Sequence, residues 1–214
     1  MSYYFPEGSK FYFSTTFAAA KTITALTNAG PAVATSVAHG FADNDELLIA
    51  SGWDDVNDSV YKADQLTADT FSLVDLDTSD INFFPAGSGI GSARKISGWT
   101  EIPQILDIST SGGDPKFATI APLSRRNAIN QPIGFNPESL TLKLGWDPAN
   151  ANYKTMLAIS RVMTKCAFKQ VISGGAVTYG YGYMIVSERP QLQSGNANTV
   201  QASLSLMGRS ISYA

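Results

Sequence analysis

The chain has 214 residues, 44% hydrophobic and only 15% charged, with a net charge of −3. That supplies a real core and excludes a tight nucleic-acid binder, which needs a large positive excess. No apolar run approaches the roughly 18 residues of a membrane span, and the single cysteine, Cys166, excludes an internal disulfide and a multi-cysteine zinc site.

The opening MSYYFPEGSK has no basic start followed by an apolar stretch, so no secretory leader is expected, and synthesis in a cytoplasm is. KFYFSTTF (10–17) reads as a strand. Short β-rich runs follow: TITAL, PAVATSVAHGF ending at His39-Gly40, ELLIASG, SVYKADQL and TFSLVDL, then a loop through Phe83 and Phe84, and ARKISGWTEI. Turn signals separate them at near ten-residue intervals, the signature of a small barrel or sandwich. Charge marks the same stretch. Residues 22–96 hold eleven acids against three bases (Lys62, Arg94, Lys95), and the rest holds seven acids against twelve bases. The sequence therefore divides into an all-β unit at 22–96 and a discontinuous outer unit, 1–21 with 97–214.

In the outer unit, two extended runs flank SGGDP, which suits a hairpin connection because glycine reaches positive φ without steric cost. Residues 121–137, polar with three prolines, are expected to form a long loop. SLTLKLGW alternates, with Leu140, Leu142 and Leu144 on one face and Thr141 and Lys143 on the other. One helix is expected, N-capped by Asp147 with Pro148 in its first turn, and Tyr153, Met156, Leu157, Ser160 and Met163 form its apolar stripe. CAFKQVIS, AVTYGYGYMIVSERP and TVQASLSLMGRS complete the chain as strands.

Candidate sites are few. His39 stands beside Asp43, Asp45 and Glu46, but it is the only histidine, and a zinc site needs more nitrogen or sulfur ligands. No G-x-S-x-G elbow is present either. The stretch is expected to be a turn rather than a metal or acid–base site. Asp54, Asp55 and Asp58 lack the EF-hand spacing and read as a solvated loop. Gly87, Gly89 and Gly91 precede an extended segment, not a helix, which argues against a phosphate-binding loop. Arg125 and Arg126 face solvent, a neighbouring subunit's acids or phosphates. Tyr179, Tyr181 and Tyr183 share one strand face, suited to packing or an interface, while Gly180 and Gly182 on the other face admit close approach, for instance of the helix. Cys166 reads as a small buried residue. No catalytic residue, cofactor or metal is expected.

The order ISGWTEIPQILDISTSGGDPKFATI, a long polar loop, an alternating strand, one helix near DPANANYKTML and a final pair of strands resembles the tail tube (major tail) proteins of long, non-contractile-tailed bacteriophages. The stretch ITALTNAGPAVATSVAHGFADNDELLIASG resembles a small β-barrel module found in phage tail and fibre proteins. The resemblance implies a mainly β fold: a β-sandwich tube domain with one flanking α-helix, plus an inserted small all-β barrel. It implies a structural virion protein, made in the host cytoplasm and located in the virion tail. Its hexameric rings would stack around the tape-measure protein, and tail terminator and tail-tip proteins would complete the tube. Genomic DNA would pass through without specific contact and without membrane insertion. Strands near 101–121 and 166–186 are then expected to line the lumen with few Lys or Arg. The loop at 121–137 would reach a neighbour, with Arg125, Arg126 and the three tyrosines as candidate inter-subunit contacts. A different class of function is host-glycan recognition by the inserted barrel through Trp53, Tyr61 or Trp99. A tube domain freed of 22–96 is then expected to assemble still while losing adhesion.

Overall fold

The computed structural model describes residues 7–124 and 126–214. A first sheet opens with β1 (Lys10–Ser14). The chain then leaves it and builds a second sheet from β2 (Thr16–Phe17), β3 (Lys21–Ile23), β4 (Ala25–Leu26), β5 (Ala32–Thr35), β6 (Glu46–Ser51), β7 (Ser59–Gln65), β8 (Thr70–Leu73) and β9 (Gly91–Ser97). It returns through β10 (Thr100–Glu101), β11 (Ile105–Ser111), β12 (Pro115–Ile120), β13 (Ile129–Phe135) and β14 (Ser139–Gly145). After α1 (Ala151–Val162) come β15 (Lys165–Val171), β16 (Val177–Val186), β17 (Thr199–Leu206) and β18 (Ile211–Tyr213).

The second sheet runs β2-β9-β6-β7-β8-β5-β4, with β3 also on β9. β3 and β4 flank Thr24 as halves of one bent strand. One half pairs with β9 and the other with β5, so the path returns on itself as a closed barrel. Closure leaves no long edge to protect. Ile23, Leu47, Ile49, Trp53, Val56, Phe71 and Leu73 fill its core. The unit reaches from Thr16 to Ser97, which pair with each other, and so takes in β2 as well as residues 22–96.

The first sheet runs β10-β1-β15-β16-β17-β14-β11, with β18 on the N-terminal half of β16. It curls around one core, sandwich-fashion. Phe11, Phe13 and Phe168 from one half share that core with Leu140, Leu142, Leu144, Val200 and Leu204 from the other. The alternation read in β14 and β17 is the inward face of this curl. Long β16 serves both halves, and its glycines sit where the sheet turns. A Cβ on Gly180 would stand 2.9 Å from Leu206 Cδ2, so the close neighbour is the end of β17, not the expected helix.

Helix α1 closes the core with Tyr153, Met156 and Ile159. Its cap is Asn150, whose Oδ1 accepts from the N–H groups of Asn152 (2.9 Å) and Tyr153 (3.2 Å). The expected cap, Asp147, spends its carboxylate on Ala149 N–H (2.9 Å), so Pro148 lies in the turn before the helix. Met163, expected in the apolar stripe, is instead the left-handed C-cap and is exposed.

Two expectations along 101–137 are corrected. SGGDP does not join a hairpin: β11 pairs with β14, and β12 pairs with β13. Residues 121–137 are not all loop, because β13 occupies Ile129–Phe135. β12 and β13 thus continue the β11–β14 ladder beyond the sheet as a two-stranded arm, with a joint between the two pairs. At the joint Gly113 N–H donates to Asn136 O (3.1 Å) and Asn136 N–H to Asp114 O (2.9 Å). Gly112 has φ +87°, and a Cβ there would lie 1.9 Å from Pro137 O, so only glycine fits. Pro132 and Gly134 obscured β13 in the sequence. A two-stranded ribbon tolerates proline because each strand keeps an unpaired edge, and the register shift between Lys116 and Phe117 adds a bulge.

Candidate assembly surfaces

The outer face of the β1–β15–β16 half carries the barrel. Tyr179 and Tyr181, at 2% and 8% exposure, pack with Ala167 and Tyr213 against Leu48, Val60 and Ile96 of the barrel. Two of the three tyrosines expected at inter-subunit contacts are therefore enclosed within one chain. Tyr183, one step further, is half-buried. Glu46 fastens this seam. Its carboxylate accepts from Lys169 Nζ (2.7 Å), from the Tyr179 hydroxyl (2.6 Å) and from Trp99 Nε1. Tyr213 adds a second tie, its hydroxyl accepting from Lys62 N–H (3.0 Å) and donating to Val74 O (3.3 Å). Burial, followed by the hydrogen bond to the Glu46 carboxylate, holds the Tyr179 phenol far above its ordinary range. Burial also pushes Tyr213 up to about 12, partly offset by the Lys62 N–H bond.

The other half of the curl has a bare outer face. Successive strands place Ser109, Thr141, Ser203 and Ile185 in one row, and Ser111, Ser139, Ser205 and Tyr183 in the next. A third row holds Asp107, Lys143 and Gln201. This surface is small, hydroxyl-rich and nearly neutral, with Lys143 set directly opposite Asp107. Lys165 lies at its border, 5.9 Å from the Tyr183 ring centroid. Of the strands expected to line a lumen, β11 and the end of β16 belong here. β14 and β17 belong as well, whereas β15 and the start of β16 lie beneath the barrel.

The arm is the third surface. Every residue of β13 is exposed, and so are nearly all of β12. Pro115 opposes Phe135 and Phe117 opposes Pro132, which gives one ribbon face an apolar stripe. Phe117 is 55% and Phe135 77% exposed. A free-standing apolar ribbon of this kind signals a partner surface. Arg126 is exposed in the turn that joins the two strands. Arg125 lies outside the described residues.

The candidate chemical sites resolve structurally. His39 is buried between Phe41 and Phe71, with ring centroids 5.3 and 5.1 Å away. Nδ1 accepts from Phe41 N–H (3.0 Å), which leaves Nε2–H to donate to Thr67 O (3.0 Å). Both nitrogens are thus committed to backbone, and the neutral tautomer is fixed. The neighbouring acids are committed too. Asp45 pairs with Lys95 (2.6 Å) and Asp43 accepts from Gln65 N–H (2.8 Å). Among the described residues no group of His, Cys, Asp and Glu is arranged to hold a metal. Trp53 is buried with its Nε1–H on Pro85 O (2.9 Å) and Tyr61 is buried, so neither presents a face to a sugar, while Trp99 is half-buried with its Nε1–H on Glu46. Cys166 is buried, and burial pushes its thiol up to about 12. No described helix is long and apolar enough to cross a membrane.

Glu46 is the seam's key residue, and it begins β6, the strand expected from ELLIASG. Nothing near it signals partners more than fifty residues away. The hydroxyl face was partly legible, since Thr141 and Lys143 already stood opposite the leucines of β14.

Residues 51–214, well over half of the chain, match the model of a family described as phage tail tube protein. No curated protein matches the chain.

Proposed function

The chain belongs to the phage tail tube protein family, a structural component of the virion tail, and from that premise we propose how its surfaces divide the work of building a tube. Copies close into hexameric rings, each contributing the bare face of β11, β14, β17 and the end of β16 to the lumen. Rings stack around the tape-measure protein, and tail terminator and tail-tip proteins close the ends.

The observation that carries this reading is the hydroxyl-rich face itself. It spans four strands, nothing among the described residues covers it, and its central cation sits beside a carboxylate. DNA affinity grows with each phosphate neutralised, so a conduit is served by a wall that neutralises almost none. The arm supports the same reading, because its apolar stripe is left uncovered by the described residues. It reaches a neighbouring copy, where Arg126 and Arg125 meet acids, and Tyr183 at the border of the bare face lies against the next subunit. The barrel sits on the opposite outer face, away from the lumen.

Negative-stain microscopy of the purified protein tests the proposal. Rings or hollow tubes are expected, and a sample that stays strictly monomeric at high concentration overturns it.

A further inference from the structure

The barrel's charges are sorted. Its strands and loops from Thr16 to Ser97 contain eleven acids and four bases. None of the four bases is fully exposed. Lys95 pairs with Asp45, and Lys62 lies 4.8 Å over the Tyr213 ring at the seam. Arg94 donates to Ala18 O and Phe17 O, and Lys21 to Ala38 O. Eight barrel ionisable residues are exposed, and every one is an aspartate: Asp43, Asp54, Asp55, Asp64, Asp69, Asp75, Asp77 and Asp80.

These aspartates stand among exposed apolar side chains. Ile81 and Phe83, both exposed, follow Asp80, and Phe83 lines a surface depression together with Asp54 and Asp55. Val37 sits where Asp69 accepts Ala38 N–H, and Leu66 follows the Asp64 strand. A neutral surface with this apolar content would adhere to its own copies. A surface of one sign prevents that: like charges repel within a Debye length, about 10 Å at 0.1 M salt.

We infer that the barrel is an electrostatic spacer, whose aspartate surface keeps assembled tubes from associating side by side. This rests on the tube reading, which would array the barrels over the outside and repeat the same negative patch along the whole filament.

The test neutralises charge without disturbing the loops. Asp43, Asp69, Asp77 and Asp80 each accept a backbone N–H and are kept. Asp75, whose φ of +60° suits Asp or Asn but not Glu, is kept as well. Asp54, Asp55 and Asp64 are replaced together by Asn in one variant and by Glu in a control, and both are compared with wild type by light scattering and microscopy. At low salt, wild-type and Glu-variant tubes are expected to stay separate. Asn-variant tubes are expected to bundle laterally with a several-fold rise in scattering, and millimolar magnesium is expected to bundle the wild type. Asn-variant tubes as dispersed as wild type overturn the spacer while leaving the tube reading intact. Bundling of the Glu variant also overturns it, by tracing the effect to shape rather than charge. If wild type forms no tubes at all, the tube reading fails and the spacer falls with it.

Discussion

Glu46 and Tyr179 are separated by 133 residues in the chain and by 2.6 Å in space. One belongs to the barrel and the other to the sheet, so their hydrogen bond, reinforced by Lys169 and Trp99, measures how firmly the two units are joined. Glu46→Ala leaves the Lys169 ammonium and the Tyr179 hydroxyl without partners in a largely enclosed seam. A loss of about 2–3 kcal/mol is expected, read by denaturant unfolding. Adding Lys169→Met should recover part of that loss, because it removes the stranded charge.

The seam also revises the expectation that a tube domain freed of the barrel would still assemble. Replacing Thr16–Ser97 by a short turn would bare Tyr179, Tyr181, Ala167 and Tyr213 to water. The shortened chain is expected in the insoluble fraction, or as soluble aggregates by size-exclusion chromatography. Monodisperse, tube-forming protein would show that the sheet needs no cover there.

The arm makes the opposite kind of prediction. Phe117 and Phe135 are solvent-exposed in the subunit, so replacing both by Ser should change subunit stability by no more than about 0.5 kcal/mol. Assembly should nevertheless fail, which sedimentation velocity would show as subunits persisting at concentrations where wild type forms tubes.

A single-cysteine probe can address the lumen. Ser203 is exposed on the bare face, and Cys166 is buried with its thiol pushed up to about 12. In Ser203→Cys the introduced thiol alone should label in free subunits. In tubes a small maleimide should still react, whereas a large polymer-linked maleimide should react much more slowly. Equal rates for the two reagents in tubes would place β17 on the outside.

Alkaline pH should open the structure through its tyrosines. Burial raises Tyr61 and Tyr213 from 10 to about 12. A group whose folded pKa lies above its unfolded value contributes stability that is fully present below the unfolded pKa and is lost as pH rises through the folded one. Stability should therefore hold below pH 10 and fall between pH 10 and 12. Ultraviolet titration should show some tyrosines ionising only as the fold is lost.

Much of the architecture was legible because it rests on periodicity. The leucines of β14 and the alternation of β17 are local patterns, and each located its element. What escaped depends on partners distant in sequence. Tyr179 and Tyr181 read as inter-subunit contacts, and the surface they meet in the structure is this chain's own barrel. The arm escaped because Pro132 and Gly134 argue against a strand unless the ribbon is known to have free edges. The helix start was displaced by one turn because Asp147 and Asn150 are both competent caps, and only the turn preceding the helix decides between them.

Thr16 and Ser97 lie opposite each other in the same ladder, while Phe13 and Thr100 are partnered one step below. The barrel thus enters and leaves through a single doorway, and the ladder between β1 and β10 continues undisturbed beside it. Once seated, it covers tyrosines that no longer tolerate water and supplies the carboxylate that anchors Lys169. Barrel and sheet are therefore mutually dependent: the sheet could not lose its cover without the whole tyrosine face being rewritten at once.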